Sequence, residues 1–178
     1  KKEIISFGSA FSNHIHALGF SRYLEKIPLK LYIRGEGLEN PTLKDAKNWG
    51  AKLNFLDRNT YRQKNTERFL EQLKRTNPDA LILPEGGTSP YAIKGMEEMM
   101  KEIYDELNSE QGIQFCVSYG SGGTALGMLE SMRVQDQIFI YPAIKLPDYH
   151  KEIQSKKNIL GINKSGERII ADHHFGGY

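Results

Sequence analysis

The chain has 178 residues, of which 39% are hydrophobic and 26% are charged, a composition that is typical of a globular protein and disfavours disorder of the whole chain. Its 24 lysines and arginines nearly balance its 22 acidic residues, and a formal net charge of +2 gives no basis for a nucleic-acid or acidic-membrane partner. No apolar run approaches the ~20 residues that a bilayer span requires, and we expect a cytoplasmic protein.

Short β-rich runs alternate with longer segments of helical periodicity along the chain. Strands are predicted at residues 3–7, 29–34, 52–56, 80–83, 113–118 and 137–141, with a weaker one at 168–171. Helices are predicted at residues 12–26, 42–49, 60–76, 92–107 and 124–132, with a short one at 148–154. This order predicts an α/β fold of three layers, in which a mostly parallel sheet carries helices on both faces. We expect functional loops where the carboxyl end of a strand passes into the next helix.

The segment from Tyr119 to Thr124 lies between a predicted strand and a predicted helix and contains three glycines. Glycines let successive backbone N–H groups turn toward one point, and the helix amino terminus adds about half a positive charge, so the segment is suited to bind phosphate. The hydroxyls of Ser121 and Thr124 can add donors. The spacing matches neither a Walker A loop nor the dinucleotide fingerprint, which disfavours a nucleotide-dependent oxidoreductase. A glycine-rich turn without a ligand is the alternative.

A second loop, Gly8 to His14, also joins a predicted strand to a helix. Ser12 is a good amino-terminal cap, and free N–H groups in that first turn would suit a carboxylate. Capping alone is the other interpretation. A third loop, Pro84 to Ser89, contains two glycines that would permit close approach of a ligand, or that would form an ordinary turn before the next helix.

The remaining candidates are interpreted as structural. Cys116, the single cysteine, lies in an apolar run and is predicted to be a buried thiol in a reducing compartment. The segment Tyr61 to Lys64 is predicted to begin a solvated helix. Neither His14 with His16 nor His173 with His174 has the spacing of a metal pair, so no metal site is predicted.

Taken together, the loops resemble successive signatures of the 1-aminocyclopropane-1-carboxylate deaminase/D-cysteine desulfhydrase family, which depends on pyridoxal 5′-phosphate (PLP). They occur in the family's order and the resemblance spans essentially the whole chain. The fold that it implies is PLP fold-type II, like the tryptophan-synthase β-type enzymes, with a small and a large α/β domain that clasp the cofactor between them. The segments that carry the resemblance are Gly8 to His16, Ile33 to Glu36, Leu83 to Thr88 and Ser118 to Thr124.

The resemblance also implies roles for particular residues. The segment Gly120, Ser121, Gly122, Gly123 and Thr124 would hold the PLP phosphate. Ser12 and the backbone of Asn13 and His14 would bind the substrate carboxylate. Ser12 would also assist proton movement, and Asn13 would alternatively bind the hydroxyl of the cofactor ring. The turn at Gly86 and Gly87 would lie near the ring.

The implied activity converts a small amino acid, such as D-cysteine or 1-aminocyclopropane-1-carboxylate, to a 2-oxo acid and ammonia, in a homodimer. Residues 1–88 would form most of the small domain and residues 89–178 part of the large one. In the family the Schiff-base lysine lies farther upstream of Ser12 than Lys1 and Lys2 allow, so we expect a central fragment of a longer enzyme that is inactive by itself. The alternative is a noncatalytic α/β module that binds a phosphorylated metabolite.

Overall fold

The computed structural model describes residues 2–37, 39–108, 111–143 and 145–172. The chain divides into two compact units, unit 1 (Lys1–Gly87) and unit 2 (Thr88–Tyr178). Within the described ranges, no helix is long and apolar enough to cross a membrane.

Unit 1 is built on a parallel sheet of four strands in the order β3-β2-β1-β4. The strands are β1 (Ile4–Ser9), β2 (Leu29–Arg34), β3 (Lys52–Leu56) and β4 (Leu81–Ile82). The helices are α1 (Asn13–Glu25), α2 (Pro41–Asn48), α3 (Arg58–Arg62) and α4 (Glu67–Thr76). A short 3₁₀ turn, Glu85–Gly87, follows β4.

The side chains of unit 1 form two apolar clusters because successive residues of a strand point to opposite faces of the sheet. Leu31 and Ile33 of β2 pack with Ile15 of α1 and with residues of α2 in one cluster. Ile5 and Phe7 of β1 pack in the other cluster, which contains residues of α3 and α4. The unit therefore has three layers, with helices on both faces of the sheet.

Unit 2 contains a parallel sheet of three strands in the order β5-β6-β7. Its strands are β5 (Gln114–Tyr119), β6 (Gln137–Pro142) and β7 (Glu167–Ile169), and its helices are α5 (Pro90–Leu107), α6 (Gly123–Ser131) and α7 (Tyr149–Leu160). One cluster joins all three helices to Phe115 and Tyr119 of β5 and to Ile138 and Ile140 of β6. The predicted fold class, parallel sheets flanked by helices, is confirmed.

The prediction for Cys116 was wrong, since the thiol is exposed. Strand β5 places Phe115 and Tyr119 in the core, and the alternating geometry turns Cys116 to the opposite face of the sheet. The apolar run in the sequence did not show which of its residues face the core.

Two helices differ from their predicted extents. The segment predicted as one helix at residues 60–76 forms two, because Thr66 caps α4 with its side-chain oxygen and ends the turn that follows α3. The helix predicted to be short at residues 148–154 continues to Leu160, where Gly161 in a left-handed conformation ends it.

A buried carboxylate, Asp136, ties the loop before β6 to α5 and β5. It accepts hydrogen bonds from the Tyr104 hydroxyl, from the backbone N–H of Ile113 and from both the backbone and the side chain of Arg133. Burial raises the pKa of Asp136, but these hydrogen bonds outweigh burial and lower it to about 2. The carboxylate therefore stabilises unit 2 in its charged form.

We predict that Asp136→Asn lowers the free energy of unfolding at pH 7 by about 2–3 kcal/mol, since the amide keeps the shape but loses the charge that its donors face. Because the pKa in the folded state is depressed, this stabilisation is present above about pH 4 and is lost as the pH falls toward 2. Urea unfolding at pH 7 and at lower pH measures both effects. The control is Asp105→Asn, at an exposed position of α5. A deficit in Asp136→Asn that does not change with pH would contradict the assignment.

Candidate functional site

The loop between β5 and α6 differs from the other helix beginnings of the described chain. Gly122 is the N-cap of α6, in a left-handed conformation with φ of 92°, and no side chain accepts a hydrogen bond from the first turn. The other α-helices each have an N-cap side chain that accepts from their first turn: Ser12, Asn40, Asp57, Thr66, Ser89 and Asp148. The first N–H groups of α6 are thus left for another acceptor.

Beneath this loop lies Tyr119, the last residue of β5, with 1% of its surface exposed. Its hydroxyl is buried and has no hydrogen-bond partner among the described residues, and a Cβ built on Gly122 would meet that oxygen at 2.9 Å. Burial raises the pKa of Tyr119 to about 12, so the phenol stays neutral. Buried hydroxyls without a partner also occur at Ser131 and Tyr149, but the Tyr119 hydroxyl lies against the glycine loop.

Ser121, at the tip of the loop, is held by two side chains that are distant in the sequence. Thr88 donates through Oγ1 to the Ser121 carbonyl oxygen at 3.3 Å, and its hydroxyl lies 3.1 Å from Ser121 Oγ. Lys156 of α7 donates through Nζ to the same carbonyl oxygen at 2.8 Å. Our sequence reasoning did not find Lys156, because its helix was predicted to end before this position.

The donor set of the loop fits a phosphate group. The first N–H groups of α6 carry the positive end of the helix dipole, and the side chains of Ser121 and Thr124 are exposed beside them. A Cβ built on Gly120 would meet no atom within 4 Å, so the loop leaves open space on that side. The structure thus brings the five residues predicted to hold phosphate, Gly120 to Thr124, into one turn.

The second predicted loop of unit 1 leads from β1 into α1. Ser12 accepts weakly from the N–H of Ile15 at 3.4 Å, as its predicted role as N-cap requires. Asn13 is exposed, and its amide makes no side-chain hydrogen bond to the described residues. A Cβ on Gly8 would lie 2.4 Å from Ile15, so the close approach of β1 to α1 requires a glycine there.

The side chain of His14 turns into unit 1 and contacts Ser6. Its Nε2 lies 2.8 Å from Ser6 Oγ, which also lies 3.2 Å from the carbonyl oxygen of Leu83 and 3.5 Å from that of Pro84. A hydroxyl has one proton, so Ser6 donates to one of these partners, and the tautomer of His14 decides which of the two side chains donates in their contact. Burial lowers the pKa of His14, which keeps the imidazole neutral at pH 7. Only the backbone of His14 can therefore take the predicted part at the helix start.

Near His14 lies a group of polar contacts around Glu85 that the sequence analysis did not predict. The Tyr61 hydroxyl donates to Glu85 Oε1 at 2.8 Å, and Lys64 forms an ion pair with Glu85 Oε2 at 3.0 Å. Tyr61 is 3% exposed, so the prediction of a solvated segment was wrong at this position. Burial and the hydrogen bond to Glu85 raise the pKa of Tyr61 well above its usual range. These contacts fix the turn that contains Gly86 and Gly87.

The two histidines of α1, His14 and His16, contact different residues. His16 lies 3.1 Å from Asp45 and packs edge-on against Trp49, whereas His14 contacts Ser6. Among the described residues, no group of three or more histidine, cysteine or acidic side chains could hold a metal ion. His173 and His174 lie outside those residues.

The chain is 25% identical over 186 residues to a protein of Pyrococcus horikoshii described as a putative 1-aminocyclopropane-1-carboxylate deaminase, a match that covers 98% of this chain and 57% of that protein. The resemblance predicted from the loops is confirmed. No family model matches the chain. The chain spans less than two thirds of the length of this relative.

Solved structures agree on the fold. The crystal structure of a homologue of 1-aminocyclopropane-1-carboxylate deaminase matches with a TM-score of 0.76 and 23% identity over 99% of this chain and 57% of that one. A pyridoxal 5′-phosphate-dependent aspartate racemase matches with a TM-score of 0.60 and 16% identity over 87% of this chain and 44% of that one. The fold is therefore the α/β fold of PLP fold-type II enzymes, and the chain covers 57% and 44% of the length of these two structures.

We predict opposite outcomes for two glycine substitutions in the loop. Gly122→Ala should lower the free energy of unfolding by about 2 kcal/mol or more, because alanine disfavours a φ of 92° and its Cβ would meet Tyr119 at 2.9 Å. Gly120→Ala should change it by less than about 1 kcal/mol, since its Cβ meets open space. Chemical denaturation of both variants measures the difference, and equal losses would show that the loop is arranged differently.

Proposed function

We propose that this chain is part of a PLP-dependent enzyme that deaminates a small amino acid of the D-cysteine or 1-aminocyclopropane-1-carboxylate type, and that it binds the cofactor phosphate and the substrate carboxylate. The observation that carries the proposal is the start of α6, where, within the part of the chain that the structure describes, no side chain caps the helix and the buried Tyr119 hydroxyl lacks a partner. The similarity to the Pyrococcus horikoshii protein supports the reaction class.

The cofactor would be held through its phosphate by Gly120, Ser121, Gly122, Gly123 and Thr124. A phosphate dianion accepts several hydrogen bonds, and this loop offers N–H groups at the positive end of α6 together with hydroxyl donors. When bound, PLP supplies an electron sink that stabilises negative charge at the substrate Cα. The protein contributes binding, orientation and proton transfer.

The substrate carboxylate would be bound at the start of α1. Ser12 holds its hydroxyl at the first turn, and its weak bond to Ile15 N leaves that hydroxyl able to donate to a carboxylate oxygen. The exposed amide of Asn13 can donate at the same helix end. The partly buried hydrogen bond between His14 and Ser6 fixes the helix start, so these groups are positioned before a substrate arrives. Ser12 Oγ is also the group that we propose moves a proton.

In this proposal, only the longer protein completes the catalytic reaction. We infer that this chain alone binds the phosphate but does not complete the reaction, since none of its lysines matches the position of the lysine that the resemblance requires. A noncatalytic module that binds a phosphorylated metabolite through the same loop is the competing function, and the two differ in whether PLP gains a permanent bond to the longer protein.

We expect this chain to bind PLP and inorganic phosphate but to bind pyridoxal, which lacks the phosphate, at least about tenfold more weakly, because the loop recognises the phosphate group. Isothermal titration calorimetry measures the three affinities. Thr124→Val removes one exposed hydroxyl at constant shape and should weaken phosphate binding by about threefold to tenfold. The matched control is Gly95→Ala, at an exposed position of α5 where a Cβ meets no atom within 4 Å.

An absorption spectrum of the longer protein with PLP, taken before and after borohydride reduction, separates the two functions. A visible band in the longer protein that reduction removes while the cofactor stays covalently attached, and the absence of both in this chain, supports the enzyme. Phosphate binding without a band in either protein supports the noncatalytic module. Absence of phosphate binding would rule out both.

In the longer enzyme we expect Asn13→Asp to raise KM for the amino-acid substrate by about tenfold or more, because a negative charge would face the substrate carboxylate. The affinity for inorganic phosphate should stay unchanged. Steady-state kinetics with D-cysteine and with 1-aminocyclopropane-1-carboxylate also identify the substrate. The control is Asn48→Asp, at the exposed carboxyl end of α2. An unchanged KM would remove Asn13 from the carboxylate site.

A further inference from the structure

Lys156 reaches the glycine loop from another helix. It lies on α7, 35 residues beyond Ser121 in the sequence, and its Nζ donates to the Ser121 carbonyl oxygen at 2.8 Å. The same ammonium forms an ion pair with Glu152 at 3.1 Å and lies 5.4 Å from the centroid of the Tyr119 ring. The side chain is 27% exposed, so it is largely packed against these groups.

By holding the Ser121 carbonyl oxygen, Lys156 also fixes the direction of the neighbouring N–H of Gly122. A peptide group is planar, so the carbonyl of Ser121 and the N–H of Gly122 point in opposite directions. Lys156 and Thr88 both donate to this carbonyl oxygen, which fixes the orientation of the whole peptide group. The N–H of Gly122 is thereby directed away from both side chains.

Without this anchor the loop could rotate. Three glycines within four residues, Gly120 to Gly123, give a backbone with many accessible conformations, and a loop that must be ordered on binding loses affinity to conformational entropy. A hydrogen bond from an ammonium is among the stronger ones, so Lys156 is a suitable anchor for the loop.

We propose that Lys156 is a positioning residue for the phosphate loop: it holds the Ser121 carbonyl and orders the loop before the ligand binds. This inference rests on the proposed phosphate site. It makes α7, which contributes no residue to the sequence signature, a determinant of phosphate affinity.

Lys156→Met tests the proposal, and Lys151→Met is the matched control because it removes the same charge at an exposed position of the same helix. We expect Lys156→Met to weaken binding of PLP and of inorganic phosphate by about tenfold and Lys151→Met by less than about twofold, measured by calorimetry. The amide resonances of Gly122 and Gly123 should shift in the ligand-free Lys156→Met protein and not in the control. Lys156→Arg should restore binding to within about threefold of the wild type.

Glu152→Gln provides a second variant that keeps Lys156 in place. It removes the carboxylate partner of the ammonium and should strengthen phosphate binding by about twofold, opposite in sign to Lys156→Met. Phosphate affinity in Lys156→Met equal to that of the wild type, or an equal loss in Lys151→Met, would overturn the proposal. A wild-type chain that binds neither PLP nor phosphate would instead overturn the phosphate site itself, whereas unshifted glycine amides in ligand-free Lys156→Met would overturn the anchor alone.

Discussion

The left-handed conformation of Gly122 is the constraint on which the candidate phosphate site depends. With φ of 92°, this residue turns the chain from the end of β5 into α6 without a side chain at the N-cap. A serine or aspartate there would consume an N–H group of the first turn, as Ser89 does at the start of α5. The space that a Cβ would need is taken by Tyr119, so both the conformation and the packing require glycine. An uncapped helix leaves N–H groups without an acceptor, which costs free energy, and at α6 a ligand could accept those hydrogen bonds.

Unit 1 orders its helix start by a different means. The first turn of α1 has an ordinary serine cap, and the partly buried hydrogen bond between His14 and Ser6 of β1 fixes its position. Ser6 continues this connection to the carbonyl of Leu83, at the end of the neighbouring strand. The turn after that strand is held by Glu85 through Tyr61 and Lys64. Two loops that follow neighbouring strands are thus joined by partly buried polar contacts, which restricts their motion relative to each other.

Most of the secondary structure followed from local signals in the sequence. Strands are short apolar runs and helices have caps at their beginnings, so alternation of the two predicted a parallel α/β fold. The predictions were wrong where one local sequence pattern is compatible with two structures. Thr66 divides a periodic segment into two helices because its side chain caps the second, and α7 continues past its predicted end until Gly161. Cys116 was assigned to the core from an apolar run, although its place in the strand faces it outward.

The sequence by itself determined the position of both candidate loops, because glycine spacing and a capping serine are local properties of the backbone. It also determined the family resemblance, since the loops occur in a fixed order. Only the tertiary structure decided which distant side chains act on those loops. Lys156 and Thr88 meet at Ser121, and Tyr61 and Lys64 meet at Glu85, because the packing of helices against the sheets brings together residues that no local pattern connects. The inward turn of His14 was decided in the same way, since burial beside Ser6 depends on the strand that α1 packs against.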